Sequence, residues 1–497
     1  MSRHADMPRV RLGMSSFVAQ PAGQVRLRAA LLGAIALLAA VHVATLVYHV
    51  GLTVAFPYDL NYGEGYVLND ALRLGRGEPL YVDLQQFPMV RSPYPPLFPG
   101  LWSLVVGVTG PSFWPGRALS GAALLGVLAL LIWNARQVRG AGRWPILVAP
   151  ALLVAAPPVY QWAGYARVDL LALLFAADGV CAAQWFRGWR GIVGAAVLCS
   201  LALWTKQTML TAAVAVAIAL ALRSRRDGAI FGALVVVPNA LLLLALNATT
   251  GGEFTRHVLE GNAGNPMIPL RVVYFVGGFV ALHLPLIVAG VWWLAQARQG
   301  VPSPIAVYLA LALLATLSAG NGGSSVNYLL EPLIALALAV PFAWRAAAER
   351  APLVGPLLAA TQLVLLLHWP NGFGVSYLAD SALGRTPTAA DAAIGAQLDT
   401  LVQQTPGDII AEPAGFAVRN GRAVHVQSLD LRAEALRGRW RSEPLVDALA
   451  GGRFSLVITA FDFLPYDAER AVAEHFDLES TLASPDGLTF RVYRYAR

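Results

Sequence analysis

The stretch "AFPYDLNYGEGYVLND", residues 55–70, places Asp59, Glu64 and Asp70 directly after a long apolar segment. That segment, residues 29–50, contains no Asp, Glu, Lys or Arg and is long enough to cross the roughly 30 Å hydrocarbon core of a membrane. Because a carboxylate is costly inside hydrocarbon, we predict a first membrane-spanning helix followed by a polar loop. The three carboxylates then lie at the membrane surface.

The rest of the chain repeats this alternation of apolar runs and short polar links. Of its 497 residues, 57% are hydrophobic and only 13% are charged, and the mean hydropathy is +0.57. Backbone groups in lipid have no water to bond to, so such runs must form helices. We predict about 11 membrane-spanning helices, near residues 29–50, 117–135, 144–160, 170–186, 191–204, 208–222, 229–248, 271–295, 304–318, 328–344 and 352–369.

The short, proline-rich run at residues 94–110 has two interpretations, because it either crosses the membrane fully or is re-entrant or interfacial. The second places the arginine-rich links on one side of the membrane, as the positive-inside rule expects, and we favour it. The N-terminus then lies inside and the C-terminus outside. The two cysteines, Cys181 and Cys199, fall in apolar runs and provide neither a disulfide framework nor a metal-binding spacing.

The C-terminal part of the chain differs in charge and pattern. From Arg385 onward there are 12 Arg and 15 Asp or Glu, whereas the preceding residues hold 24 basic and 14 acidic groups. The basic balance therefore belongs to arginine-rich membrane links and not to nucleic-acid binding. The patterns in this tail predict strands at 408–412 and 454–461, an edge strand at 487–496, and amphipathic helices at 388–404 and 466–476.

These observations predict an all-α polytopic membrane protein with a small C-terminal α/β domain outside the membrane. The predicted domains are an N-terminal cytoplasmic segment at 1–28, a transmembrane domain at 29–370 with an outer loop at 51–94, and the α/β domain at 371–497.

The links on the predicted outer face carry most of the remaining polar residues. Lys206 is the only lysine in the chain, and a compact ammonium suits a phosphate oxygen. Arg167 precedes a predicted helix, whose positive dipole end also favours a phosphate. Plainer interpretations stay open, since Lys206 could snorkel to the interface and Asp169 could simply cap its helix.

A carboxylate that faces cations at a membrane surface suggests transfer from a lipid-linked phosphate to an acceptor hydroxyl that the carboxylate deprotonates. We expect Glu64, Arg167, Lys206 and Tyr328 to converge on one outward-facing cavity. The candidate residues are Glu64, Asp59 and Asp169 for catalysis, Arg167, Lys206 and Gln207 for the donor phosphate, and Tyr94, Asn327, Tyr328 and Glu331 for substrate binding.

An ordered series of motifs follows the acidic first loop. They are "RLGRGEPLY" (73–81), "SPYPPLFPGLW" (92–102), "GPSFWPGRALSG" (110–121), "ARVDLLALLF" (166–175), "ALWTKQT" (202–208) and "NYLLEPLIALALA" (327–339). In this series the chain resembles the GT-C superfamily of polytopic membrane glycosyltransferases, in the broad protein O-mannosyltransferase-like group of families 39 and 87.

The resemblance implies a polyprenyl-phosphate sugar donor, a glycan, lipid or protein acceptor, and a site that opens to the periplasm from the bacterial inner membrane. The tail would then be periplasmic and the helices would contact membrane lipids. It also implies that a first-loop acid acts as a base or helps to hold a divalent cation such as Mg²⁺ or Mn²⁺, for which Glu64 and Asp169 are the candidate ligands. Many relatives have adjacent Asp and Glu there, whereas this chain has Gly63 before Glu64, so Glu64 acts alone or Asp59 supplies the second carboxylate.

Two other functions remain open. A transporter or flippase of lipid-linked sugars predicts functional charges near the bilayer midplane and pseudo-symmetric halves. A non-catalytic envelope assembly protein predicts that the polar residues scatter over separate faces.

Overall fold

A computed structural model describes residues 22–261, 265–297, 302–367, 386–484 and 488–496. Most of the predicted cytoplasmic segment, residues 1–21, lies outside the described residues. So does the predicted start of the tail at 371–385.

The first two thirds of the chain form helices wherever the sequence is continuously apolar. In chain order, the α-helices are α1 (Ala22–Ala55), α2 (Glu64–Gly75), α3 (Leu97–Thr109), α4 (Trp114–Gln137), α5 (Trp144–Ala155), α6 (Pro157–Trp162), α7 (Asp169–Trp185), α8 (Gly188–Thr205), α9 (Leu210–Arg223), α10 (Arg225–Thr249), α11 (Glu253–Thr255), α12 (Pro269–Val272), α13 (Gly278–Ala297), α14 (Pro304–Ala315), α15 (Leu330–Arg350) and α16 (Val354–Leu365). Short π-helices at Arg256–Glu260 and Val273–Gly277, and 3₁₀ helices at Thr316–Gly320 and Val326–Leu329, connect them.

Among the described residues, six helices are long and apolar enough to cross a membrane, and five shorter helices are also apolar. The six are Ala22–Ala55, Trp114–Gln137, Gly188–Thr205, Arg225–Thr249, Pro269–Gln296 and Val326–Arg350. These helices differ in burial. In Val326–Arg350, 89% of the apolar window is buried, as expected for a central helix, whereas in Arg225–Thr249 only 11% is buried, as expected for a peripheral one. The chain is therefore a multi-pass membrane protein with α15 at the centre of its bundle.

Helix α3 covers the run for which the sequence allowed two interpretations. Its 13 residues span about 20 Å at 1.5 Å per residue, less than the hydrocarbon core. It packs on the amphipathic helix α2, while Leu104 and Val108 on its other side are exposed. This geometry favours the interfacial or re-entrant interpretation.

The described part of the tail forms a small α/β domain. Its elements are α17 (Ala389–Gln404), β1 (Asp408–Ala411), α18 (Gly415–Arg419), α19 (Ser428–Leu436), α20 (Glu443–Ala450), β2 (Phe454–Thr459), α21 (Tyr466–His475), β3 (Phe476–Ala483) and β4 (Thr489–Tyr495). The sheet order is β1-β2-β4-β3, with β1 and β2 parallel and the other pairs antiparallel. The prediction that the last strand is an edge strand is therefore wrong, because β3 pairs with its outer side.

The α/β domain is joined to the loop that follows α2. Met89 N–H donates to the carbonyl of His425 (2.8 Å), and Gln427 N–H donates to the carbonyl of Met89 (3.1 Å). Trp440 Nε1 also donates to the carbonyl of Leu84 (2.8 Å). These bonds fix the domain over the end of the bundle that carries the polar loops.

Candidate active site

A cavity of about 490 Å³ opens at the loop end of the bundle. Its membrane-side wall comes from residues at the ends of three helices. Arg167 lies two residues before α7, Lys206 directly follows α8, and Tyr328 lies in the 3₁₀ helix before α15. The apolar sequences around these positions build the helices, and the polar residues fall where each helix begins or ends.

Six of the residues predicted from sequence line this one cavity, and four do not. The lining residues are Tyr94, Arg167, Lys206, Gln207, Asn327 and Tyr328, and the others are Asp59, Glu64, Asp169 and Glu331. The predicted convergence therefore holds for Arg167, Lys206 and Tyr328, and the cavity lies on the side of the bundle where the C-terminal domain sits.

The α/β domain and the first loop form the opposite wall of the cavity. Phe461 and Phe463 stack on each other with ring centroids 5.1 Å apart, and both lie edge-on to Tyr62 at 5.4 and 5.1 Å. Leu429 also lines this wall. Sequence reasoning missed these residues, because nothing in the tail pattern indicates which loop faces the membrane domain.

Lys206 is held by a buried carboxylate. Its Nζ donates to Asp169 Oδ1 at 2.6 Å and lies 4.9 Å from the centre of the Tyr328 ring. The same carboxylate accepts from Asn327 Nδ2 (2.7 Å) and from Trp162 Nε1 (3.1 Å). Asp169 is 1% exposed and lies behind the lining, so it positions Lys206 and Asn327 and does not itself face the cavity.

Arg167 lies against the backbone of the first loop. Its Nη2 donates to the hydroxyl of Tyr94 at 2.7 Å, and its guanidinium lies 5.6 Å from the centre of that ring. A Cβ atom at Gly63 would be only 1.4 Å from Arg167 Nη1. A glycine is therefore required at position 63 for the guanidinium to occupy this place.

Arg271, in α12, is a third lining cation that sequence reasoning missed. Its Nη2 donates to the carbonyl of Ser324, and the guanidinium lies 5.0 Å from the centre of the Phe275 ring. A signal was present in the sequence. An arginine at the outer end of a predicted span departs from the positive-inside pattern that the other links follow.

Several buried polar atoms of the lining have no hydrogen-bond partner among the described residues. They are Gln207 Oε1, Thr208 Oγ1, Arg271 Nε, Ser325 Oγ and Asn327 Oδ1. Buried polar groups in native proteins are almost always satisfied, so such a cluster indicates a place for a polar ligand or water. None of the described lining residues is Asp or Glu, and the three cations therefore favour an anion.

Glu64 does not line the cavity, contrary to the sequence prediction. Both of its oxygens are occupied, one by Arg117 Nε (2.9 Å) and Ala166 N–H (2.6 Å), the other by Arg117 Nη2 (2.8 Å) and Leu60 N–H (2.7 Å). Glu64 and Arg117 are both 0% exposed. A carboxylate with all of these contacts has no open side toward a substrate, so its geometry is that of a structural anchor.

Asp59 and Glu331 also lie away from the cavity. Asp59 borders a separate small cavity of about 40 Å³ beneath α17 and accepts from Gly65 N–H at 2.9 Å. Burial, reinforced by the charge of Glu64, raises the pKa of Asp59 to about 8, although Arg117 acts in the opposite direction. Glu331 is buried in the first turn of α15 and accepts from the hydroxyl of Thr211 at 3.1 Å.

The two carboxylates considered for a divalent cation do not fit that role. Mg²⁺ and Mn²⁺ need open carboxylate oxygens, whereas those of Glu64 and Asp169 accept bonds from cationic and N–H donors. Among the described residues, no three His, Cys, Asp or Glu side chains group together as metal ligands.

No protein-family model matches the chain, and no curated protein matches it in sequence. Solved structures do match in fold. ArnT from Cupriavidus metallidurans bound to undecaprenyl phosphate matches with a TM-score of 0.59 and 14% identity, over 93% of this chain and 98% of that chain. The apo form of that ArnT gives a TM-score of 0.57 and 16% identity, over 95% and 97%.

The oligosaccharyltransferase of Archaeoglobus fulgidus, in complex with zinc and sulfate, matches with a TM-score of 0.50 and 13% identity, over 93% of this chain and 73% of that chain. At such identities the likeness establishes the fold and assigns no residue a role. The chain therefore has the fold of the GT-C superfamily of polytopic membrane glycosyltransferases, as its ordered sequence motifs predict.

Proposed function

We propose that this protein is a glycosyltransferase that moves a sugar from a polyprenyl-phosphate donor to an acceptor hydroxyl at the periplasmic face of the bacterial inner membrane. One observation carries the proposal. Within a GT-C fold, a cavity at the membrane surface is lined by Arg167, Lys206 and Arg271 and by no described carboxylate.

The three cations suit the phosphate of the donor. The guanidinium forks of Arg167 and Arg271 can each donate to two phosphate oxygens, and the ammonium of Lys206 supplies a compact point charge. Helices α7, α9 and α15 begin at this end of the bundle, so their positive dipole ends add to the same potential. ArnT, whose fold this chain shares, binds undecaprenyl phosphate, so a lipid of this class is the first donor to test.

The same arrangement stabilises the leaving group. As the acceptor oxygen bonds to the anomeric carbon of the sugar, the bond from that carbon to the phosphate oxygen breaks, and its electron pair stays on the phosphate. The new negative charge develops next to cations that the fold already holds in place, and such preorganised charges stabilise a developing anion. The sugar then lies toward the aromatic wall of Tyr62, Phe461 and Phe463.

The proposed orientation follows from the arginine-rich links at the opposite end of the helices. A C-terminal alkaline phosphatase fusion is expected to be active, and a C-terminal fluorescent fusion that matures only in the cytoplasm is expected to be dark. The reverse pattern would place the cavity in the cytoplasm and overturn a periplasmic site.

Transfer is tested in a strain that lacks the gene. We expect this strain to accumulate a polyprenyl-phosphate sugar and to lose one envelope glycan, both measured by mass spectrometry. Its envelopes then contain donor and acceptor together. Purified protein added to them should release polyprenyl phosphate and restore the glycan. Movement of the intact donor lipid across the membrane without its cleavage would instead indicate a flippase.

Binding is tested with undecaprenyl phosphate and the full-length protein in nanodiscs. Arg271→Gln removes one lining cation and is expected to weaken binding by about 10-fold or more, because charge-assisted contacts contribute roughly 1.5–3 kcal/mol. Arg256→Gln is the matched control, since Arg256 is exposed, bonds to Glu253 at 2.6 Å and does not line the cavity. Equal affinities of the two variants would contradict the phosphate assignment.

A further inference from the structure

With Glu64 enclosed by donors and Asp169 bonded to Lys206, the described cavity lining contains no carboxylate that could take the acceptor proton. It does contain Tyr62, on the wall toward which the sugar lies in the proposed function. The hydroxyl of Tyr62 donates to Oε1 of Glu412 at 3.2 Å. Glu412 belongs to the α/β domain and is 0% exposed, so a buried carboxyl of the tail reaches the cavity through one tyrosine.

Three groups bond to the hydroxyl of Tyr62. Its oxygen accepts from the backbone N–H of Leu429 at 3.1 Å, and its hydrogen has two acceptors, Glu412 Oε1 at 3.2 Å and the hydroxyl oxygen of Tyr66 at 3.4 Å. A phenol oxygen has two acceptor positions, so one remains for a hydroxyl inside the cavity. Tyr66 donates its own hydroxyl hydrogen to the carbonyl of Val426 at 3.5 Å, so Glu412 is the nearer of the two acceptors of the Tyr62 proton.

We propose that Glu412 is the base of the transfer reaction and that it acts through Tyr62. This inference rests on the proposed glycosyl transfer. The acceptor hydroxyl donates its proton to the Tyr62 oxygen as the Tyr62 proton passes to Glu412 Oε1. The acceptor oxygen bonds to the anomeric carbon, and the bond between that carbon and the phosphate breaks with its electron pair left on the phosphate. Glu412 thus ends protonated and the phosphate ends with the negative charge that the lining cations face.

The surroundings of Glu412 suit a group that gains and loses a proton near neutral pH. Burial raises its pKa to about 7, while hydrogen bonding from Ser428 and Tyr62 acts the other way. The other titratable groups that face this cluster are Tyr66 and Asp59 from the first loop and Asp430 from α19. A base is most effective when its pKa lies near the working pH.

The place of this pair also explains why the tail covers the cavity. Glu412 directly follows β1, and its N–H donates to the carbonyl of Ile458 on β2 at 2.9 Å. Its position is therefore set by the sheet, and the docking of the α/β domain on the first loop brings it to Tyr62. In this proposal Tyr62 is the catalytic residue that touches the acceptor, and Glu412 is the group that accepts the proton through it.

The test is a pH–rate profile of polyprenyl phosphate release from deletion-strain envelopes. For the wild type we expect the rate to rise with pH and to level off above about pH 7. Glu412→Gln and Tyr62→Phe should each lower the plateau by about 10²-fold or more and remove this inflection. Glu412→Asp should keep an inflection at reduced rate. Glu474→Gln, an exposed change on α21, should behave as the wild type.

Binding of undecaprenyl phosphate separates chemistry from folding. Glu412→Gln and Tyr62→Phe leave the three lining cations in place, so both should bind this lipid with wild-type affinity. If either variant binds the lipid normally and releases polyprenyl phosphate with the wild-type pH profile, proton transfer through Tyr62 to Glu412 is ruled out, while the proposed function stays intact. If Glu412→Gln fails to fold, Tyr62→Phe, which removes one oxygen, decides the question alone. Absence of release by the wild type overturns both proposals.

Discussion

Two buried ion pairs of this protein, Glu64 with Arg117 and Asp169 with Lys206, share their chemistry and differ in what surrounds them. In the first pair both side chains are 0% exposed, and Arg117 also donates to the carbonyls of Thr53 and Tyr58 at the end of α1. In the second pair the carboxylate is enclosed, but the ammonium of Lys206 borders the 490 Å³ cavity.

The comparison shows that burial of a charge does not by itself indicate a functional site. Arg117 donates hydrogen bonds to the first loop and to the end of α1, so it connects these two elements. Lys206 is oriented by Asp169 and has another side toward the cavity. What distinguishes the two pairs is whether the cation retains a face toward a cavity, and the following changes test that distinction.

The largest effect is expected for Arg117→Met, which leaves the Glu64 charge buried and unpaired. Breaking a buried pair in this way costs about 3–5 kcal/mol of unfolding free energy. The measurement is the denaturant midpoint of the purified protein in detergent. Arg76→Met, at an exposed arginine next to the same loop, is the control. If both variants unfold at the wild-type midpoint, the anchor assignment is wrong.

Lys206→Met is expected to act on the ligand more than on the fold. Loss of the ammonium should weaken undecaprenyl phosphate binding by about 10- to 150-fold, which corresponds to roughly 1.5–3 kcal/mol. Lys206→Arg keeps the charge but not the shape, so a smaller loss is expected. Lys206 borders the cavity whereas Arg117 is fully enclosed, so the side of Asp169 that Lys206 vacates lies next to the cavity, and the unfolding midpoint should fall less than in Arg117→Met. If Lys206→Met lowers the unfolding midpoint more than Arg117→Met does, the two pairs do not differ in the way described.

Next to the Glu64–Arg117 pair, Asp59 contributes to stability in a way that depends on pH. Its pKa is about 8 in the folded protein, against an ordinary value of 3.8, so folding takes up a proton between these values. Stability should therefore fall as pH rises through this window, by at most about 1.4 kcal/mol per pH unit. Asp59→Asn should flatten the dependence between about pH 5 and 8, measured as unfolding midpoints. An unchanged slope would show that Asp59 is ionised when folded.

The smallest effect is expected from chelation. Because neither pair offers open carboxylate oxygens, EDTA should leave the release of polyprenyl phosphate from deletion-strain envelopes unchanged. Loss of activity that Mg²⁺ or Mn²⁺ restores would show that a carboxylate exchanges its donors for a metal.

The helices and the cation cluster could be predicted from sequence because both follow from local patterns. Apolar runs must become helices in lipid, and polar residues between runs must meet at the ends of the bundle. The proximity of Arg167, Lys206 and Gln207 could therefore be predicted without knowledge of helix packing. The same reasoning could not assign a role to Glu64, because the sequence pattern of an acid in a polar loop is the same whether the side chain faces a substrate or pairs with Arg117.

The parts that sequence reasoning missed depend on long-range contacts. Tyr62 and Glu412 are separated by 350 positions, and only the docked domain brings them together. Strand β3 escaped prediction because five of its eight side chains are exposed, among them the charged Asp477 and Glu479, and this omission placed β4 at an edge. Phe461 ends the strand predicted at 454–461 and Phe463 follows it, and the sequence around them does not indicate that they line a cavity at the membrane domain.

The absence of any other lysine gives Lys206 a practical consequence. The cavity holds the only lysine of the sequence, so amine-directed electrophiles have no other lysine side chain in this sequence to react with. An electrophile carried on an anionic lipid analogue attaches at this position once Lys206 gives up the proton that it donates to Asp169, so labelling should rise with pH, and one modified peptide would report occupancy by mass spectrometry. The natural composition thus provides a selective covalent handle inside the cavity, with no engineered cysteine and no radioactive donor.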